Sequence, residues 1–365
     1  MLLMIALLIA YGSLYPFSFS ATDPESWRRL FTDFRVFTSR GDVLGNLVLF
    51  VPLGIAGMFA FAPRTEKAGA LIVACAGLTL AIALQWAQLY LPSRDAVLSD
   101  VVWNMLGLSL GMTAAPVATR IFHWEKTVPA IPLALLALWF AQELVPFIPT
   151  LDLQKIKDSL KPLLLNPDFQ VANAVFHCAA ALLAGRLLAE VVGEPASSRW
   201  LVLCMGIAFA GKIMVVSRVL SLSLLIGWSA AWLIWKSIAS WPEPRRATLL
   251  MLALLLALTM TALVPFTLRW PAAEFSWIPF AGQLEGAMLT NLTALIERLF
   301  LYAGILWLIS LSGRGIWAGA ICLAAFALLL EAAQMFVAGR TPDITEVIWV
   351  LLTVAALHAV GRAAR

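Results

Sequence analysis

Polar positions interrupt this chain at regular intervals, and between them lie apolar blocks close to the ~20 residues a bilayer-crossing helix requires. The blocks predict helices over roughly 2–17, 43–62, 68–91 and 96–119; then 130–147, 171–192, 199–216 and 219–238; then 247–266, 288–311, 314–337 and 342–361. The grouping in fours comes from three marks. Pro-Phe recurs at Pro16-Phe17, Pro146-Phe147 and Pro265-Phe266; an Asn opens an apolar run at Asn46, Asn173 and Asn291; and an Arg separates two apolar runs at Arg94, Arg218 and Arg340. Pro-to-Asn steps are 30, 27 and 26 residues, and Asn-to-Arg steps 48, 45 and 49. Marks in one order at near-equal spacing predict an internal repeat. The expected fold is an all-α polytopic membrane protein of about twelve transmembrane helices, built as three four-helix repeats over 1–122, 128–240 and 246–362. An even number of spans per repeat makes the copies parallel.

A longer polar segment follows each first helix: 18–42, 148–170 and 267–287. The first carries Trp27, Arg28, Arg29, Phe31, Phe34, Arg35 and Phe37, the second Lys155, Ile156, Lys157, Leu160 and Lys161, the third Trp270, Phe275, Trp277 and Phe280. Such mixtures suit either amphipathic elements lying in the interface or an aromatic belt.

Composition agrees: 62% of residues are hydrophobic and 13% charged, against about 25% charged in soluble domains. The net charge of +4 is dispersed, whereas nucleic-acid binding needs a clustered basic face. Cys75, Cys178, Cys204 and Cys322 lie in apolar segments without a CxxC pair, and His123, His177 and His358 are scattered. No metal or cofactor site is therefore expected. The N-terminus is apolar from Leu2 with no charged leader region. The first repeat needs this helix, so it is expected to stay as a span rather than be cleaved near Ala21. Lys and Arg in short loops and helix ends (Arg64, Lys67, Arg120, Lys126, Arg186, Arg199, Lys236, Arg245, Arg246 and Arg314, with Arg362 and Arg365 in the tail) fall on the side of the N-terminus. The positive-inside rule then puts both termini in the cytoplasm and the three repeated Arg outside.

Aligned on those Arg, the repeats show candidate chemistry. Six residues before stand Gln88, Lys212 and Gln334; nine before, Gln85, Phe209 and Glu331; six after, Asp100, Leu224 and Glu346; ten after, Asn104, Trp228 and Val350. Positions three apart share a helix face, so Gln85 with Gln88 and Glu331 with Gln334 are polar patches on the third helices. Thr341-Pro342 reads as a helix start, with Thr capping and Pro in the first turn. Asp100 and Glu346 then fall where the helix dipole favours an anion, so Arg94 is expected to pair with Asp100 and Arg340 with Glu346. The second repeat has Leu224 in place of the carboxylate and is expected to be a structural spacer, with Lys212 facing the same region. Glu297 occupies the place of Pro52, six after the repeated Asn, with Arg298 on another part of that helix surface. These groups either lock helical hairpins as polar glue or, because charge in lipid is costly, mark a substrate path.

The sequence Asp42…Asn46-Leu-Val-Leu-Phe50-Val-Pro52-Leu-Gly54, with Gln85-Trp-Ala-Gln88, Pro92-Ser-Arg94 and Asp100-Val-Val-Trp-Asn104-Met-Leu-Gly107, resembles the VanZ-like family. That family is named for a protein linked to teicoplanin resistance, and a four-helix module is its usual unit. Its motif has Glu where this chain has Gln85. The last repeat resembles the module through Asn291, Glu331, Gln334, Arg340 and Glu346, with Val350 and Thr353 replacing Asn and Gly; the middle repeat is degenerate. The resemblance implies a protein of the bacterial cell envelope, in the inner membrane.

The expected substrate-binding residues are Asn46, Gln85, Gln88, Arg94, Asp100, Asn104, Lys212, Asn291, Glu331, Gln334, Arg340 and Glu346. Arg suits a phosphate or carboxylate through its planar fork, so the first reading is binding or movement of an amphiphile with an anionic head. Membrane lipid, a lipid-linked envelope precursor or a lipoglycopeptide tail fits. The second is a membrane enzyme acting on a lipid-linked precursor, with Asp100, Glu331 or Glu346 as base; no His pair, Ser nucleophile motif or Asp-rich metal motif accompanies it. The third is a scaffold for envelope assembly.

Overall fold

The computed structural model describes residues 2–21, 40–61, 66–93, 96–122, 130–150, 152–165, 167–216, 218–285 and 288–363. The described residues form helices and turns, with isolated β-bridges between loops. In chain order the helices are α1 Leu2–Leu14, α2 Arg40–Phe59, α3 Glu66–Gln88, α4 Leu98–Phe122, α5 Ala130–Leu144, α6 Leu153–Leu164, α7 Val171–Val192, α8 Glu194–Met214, α9 Leu222–Ile238, α10 Glu243–Leu263, α11 Ala281–Glu285, α12 Met288–Leu311, α13 Ile316–Gln334 and α14 Thr345–Ala363. A helix lies over each apolar block. Six are long and apolar enough to cross a membrane: 67–88 within α3, α7, α8, α10, 291–311 within α12, and α13. Shorter apolar helices include α1, α5 and α9. The chain divides into two compact units, one of residues 1–127 with 283–288 and one of 128–282 with 289–365. The middle and last expected repeats thus share one hydrophobic core.

In the first unit, α2 and α4 approach backbone to backbone, with α1 and α3 packed alongside. Small residues permit this: a Cβ on Gly107 would stand 1.9 Å from the Leu47 carbonyl oxygen, and one on Gly111 2.2 Å from that of Val51. Close approach of helices through small residues is a main source of packing energy in lipid, where no hydrophobic effect drives association. In the second unit, α7 lies at the centre, with Ala179–Ala181, Ala184 and Leu187 buried against α5, α8, α9 and α10. Gly227 on α9 performs the equivalent role there, facing the Ala174 carbonyl and His177 of α7.

At one end of the second unit, Arg186 on α7 binds Glu190 (2.5 Å) and Glu243 of α10 (3.0 Å), and Arg246 binds Glu194 of α8 (2.6 Å) and Glu243. Both Arg are buried and sit against Trp307 and Trp235 respectively. They are therefore helix residues fixed by acids.

The opposite end carries a local geometry that recurs. The peptide bond before Pro16, Pro146 and Pro265 is cis, and Phe17, Phe147 and Phe266 have φ of 63°, 58° and 62°. Four residues past each Pro, a backbone N–H donates to a carbonyl at the end of α3, α8 or α13: Ser20 to Tyr90 (2.8 Å), Thr150 to Met214 (2.8 Å) and Arg269 to Phe336 (2.9 Å). A second bond, Val216 N to Ile148 O (3.0 Å) or Ala338 N to Thr267 O (2.8 Å), completes the clasp twice. In the first unit that donor position is Pro92, which has no N–H to give.

Of the polar segments, residues 153–164 form the amphipathic helix α6, capped by Asp152 accepting from Gln154 N (2.9 Å). Its buried Ser159 and Lys155 donate to the Arg218 carbonyl. The third segment is largely extended, with Trp270 and Trp277 exposed, and ends in the short α11. The aromatic and basic run from Trp27 to Phe37 lies outside the described residues.

The glycine seam yields a direct test. Replacing Gly107 with Ala forces a methyl onto a backbone oxygen that cannot swing away, and overpacking of this kind costs about 1–3 kcal/mol. Scanning fluorimetry of the purified protein should show a clear fall in melting temperature for Gly107→Ala. Gly206→Ala, whose Cβ meets nothing within 4 Å, should leave it unchanged.

Candidate functional site

In the first unit, the end of α3 meets the start of α4. Gln85, buried, accepts from Val97 N (3.0 Å) and donates to Asp100 Oδ2 (3.4 Å). Gln88 donates to the Ser13 carbonyl (2.9 Å) and ties α3 to α1. Asn104, one turn beyond Asp100, is buried, and Asn46 sits half-buried on α2. Arg94 lies outside the described residues, as does the expected Arg94–Asp100 pair.

The last helices repeat this arrangement with a charge added. Glu331 accepts from Asp343 N (3.0 Å) as Gln85 does from Val97 N, and its other oxygen accepts from Gln334 Nε2 (2.9 Å). The expected helix start at Thr341-Pro342 is replaced by one at Thr345. Residues 342–344 are instead held extended by Ser276, through Ser276 N to Pro342 O (3.0 Å) and Ile344 N to Ser276 O (3.2 Å). Asp343 then caps α14 by accepting from Thr345 N (2.7 Å).

Arg340 and Glu346 do not pair. Arg340 donates from Nε to the Val264 carbonyl (2.6 Å) and from Nη2 to the Thr261 carbonyl (2.5 Å), closing the C-terminal end of α10. Arg218 does the same for α5 through the Val145 carbonyl (2.6 Å). These carbonyls have no partner inside their own helix, and they carry the negative end of its dipole. The Arg therefore goes to them rather than to a carboxylate beyond the turn. Burial pulls the pKa of both guanidinium groups below its usual value. Glu346 is taken by Arg298 of α12 (2.8 Å) and by the Tyr302 hydroxyl, which donates to its other oxygen.

Arg298, Tyr302, Glu331, Gln334 and Glu346, with Leu258, Ala262, Ala327 and Leu330, line a narrow cleft of about 10 Å³, the space of a single water. Asn291 is half-buried on α12, outside the cleft lining.

The middle helices hold a second group of charges. Lys212 pairs with Glu143 of α5 (2.6 Å), and His177 of α7 places Nδ1 3.6 Å from the same carboxylate. Glu297 and Arg218 are charged neighbours of this group. A carboxylate thus lies beside Lys212, supplied by Glu143 of α5, while Arg218 is bound to a backbone carbonyl and Leu224 supplies no acid. Lys212 and Glu143 stand at the positions of Gln88 and Ser13, three before the Pro and six before the Arg. Among the described residues no cluster of His, Cys, Asp and Glu suits a metal ion.

Apolar helices of spanning length, with charged side chains paired among them, define an integral membrane protein. Residues 2–121, the first third of the chain, match the family model described as VanZ/LLP1, and that segment is similar to this family. No curated protein and no solved structure matches the chain.

The pairing makes a testable distinction. Breaking a buried pair by removing one partner costs about 3–5 kcal/mol, and residues in one network are non-additive. In a thermal-stability cycle, Arg298→Ala and Glu346→Gln together should be little worse than either alone. The losses from Arg340→Ala and Glu346→Gln should add; coupling in this second cycle would restore the Arg340–Glu346 pair.

Proposed function

We propose that this is a multi-pass protein of the bacterial inner membrane that binds or moves an amphiphilic envelope lipid or lipoglycopeptide through a polar cleft facing outward. The observation that carries the reading is the cleft among α10, α12, α13 and α14. Placing an ionised side chain at mid-membrane costs at least roughly 2.5 kcal/mol, so such residues tend to face a cavity and mark substrate paths. Here Arg298, Glu331 and Glu346 line a recess whose other wall is aliphatic, as a head group with an attached alkyl chain requires. The other candidate residues, Asn46, Gln85, Gln88, Asp100 and Asn104 in the VanZ-like module, would serve a second polar recess of the same design.

The architecture we propose is twelve spans in three parallel four-helix modules, 1–122, 128–240 and 246–362, with both termini cytoplasmic. The recurrent Pro-Phe turn and its bond to the loop after the third span support the threefold division. The Lys and Arg of the short loops support the orientation. Reporter fusions placed at residues 124–126 and at 240–242 should both read cytoplasmic. A periplasmic signal at either point removes the parallel-module architecture.

Native mass spectrometry of the purified protein tests the function. One defined envelope lipid should co-purify, and Arg298→Ala should release it. A mixture reflecting bulk lipid, unchanged by the substitution, favours a scaffold. Conversion of an added lipid-linked precursor to a new product favours an enzyme.

A further inference from the structure

Gln85 and Glu331 hold the same position nine residues before the repeated Arg, and both accept the backbone N–H three residues after it. An uncharged amide performs that structural task in the first module. The negative charge of Glu331 is therefore surplus to the fold. It is also buried, 5% exposed, and Glu331 forms no ion pair among the described residues. Its hydrogen bonds come from two neutral donors, Gln334 Nε2 and Asp343 N. The one cation in the cleft wall, Arg298, is already bound to Glu346. The wall therefore holds two carboxylates and one guanidinium. Close to Glu331, Asp343 adds a further carboxylate and Arg340 a guanidinium that is directed at backbone carbonyls.

A buried carboxylate with no cation is stabilised by a ligand that brings one. We propose that the cleft takes an amphiphile with a cationic head, an ammonium group, with Glu331 as its counter-ion. This rests on the amphiphile reading above and reverses the anionic head expected from the repeated Arg, since those guanidinium groups close helix ends. Tyr302 beside the carboxylates adds an aromatic ring of the kind that attracts ammonium groups.

The test uses the full-length protein in the neutral detergent dodecyl maltoside, with radiolabelled dodecylamine as probe and dodecyl phosphate as its anionic counterpart. Dodecylamine should bind saturably and dodecyl phosphate should not compete. Glu331→Gln keeps the acceptor for Asp343 N, as Gln85 does for Val97 N, so the variant should fold with a near wild-type melting temperature. Its affinity for dodecylamine should fall at least about tenfold, in keeping with the value of a hydrogen bond to a charged group. Asp158→Asn, on the exposed face of α6, should bind as wild type. Equal dodecylamine binding by wild type and Glu331→Gln overturns the proposal. Saturable binding of dodecyl phosphate in preference to the amine overturns the cationic head while leaving the amphiphile reading in place. Saturable binding of neither overturns both.

Discussion

A helix that ends among apolar neighbours leaves carbonyl oxygens that neither lipid nor aliphatic side chains can satisfy. Each such group costs several kcal/mol if left alone. Much of this protein can be understood as the answer to that constraint. Helices α5 and α10 stop at Val145-Pro146 and Val264-Pro265, and in each case an Arg reaches back to the freed carbonyl. The same loop then pairs with the segment after the turn, so the first and third helices of a module are joined by backbone bonds as well as by the side chain. Pro-Phe and Arg are two halves of one device, which is why they keep their spacing along the chain.

With the Arg so occupied, the carboxylates find other partners, and the modules differ in which. In the VanZ-like module the polar contacts between third and neighbouring helices are made by amides, Gln85 and Gln88. In the middle they are made by the Glu143–Lys212 ion pair, with His177 alongside. In the last, an amide and a carboxylate share the work and the carboxylate is left over. The backbone contact at the end of α3, α8 and α13 recurs, while charge at two positions of those helices varies. That is the pattern expected when packing is fixed and the chemistry of a recess is free to change.

The helices and the existence of a repeated mark were legible in the sequence, because each depends on a periodicity or composition contained in one stretch of chain. Leu153–Leu164 could be read as amphipathic for the same reason. The partners of the charged residues were not legible. Arg340 meets Val264 across 76 residues, and Lys212 meets Glu143 across 69; neither choice can be made from one helix face. The start of α14 was misread because Thr341-Pro342 is a good local cap, while the bridge from Ser276 that keeps 342–344 extended comes from another segment. Glu143 was passed over because it is a lone charge in an apolar run, and Arg298 was noted without its partner because Glu346 stands on a different helix.

The Arg clasps also bear on how the protein is made. Val145 and Arg218 are 73 residues apart, and Val264 and Arg340 are 76 apart. At ~5–20 residues per second, the ribosome adds the Arg some 4 to 15 s after the helix end it will close. For that interval the end of α5 or α10 has no protein donor, and water or the insertion machinery must supply one. The ends of α5 and α10 can therefore be closed by these side chains only after the loops that follow α8 and α13 have been synthesised.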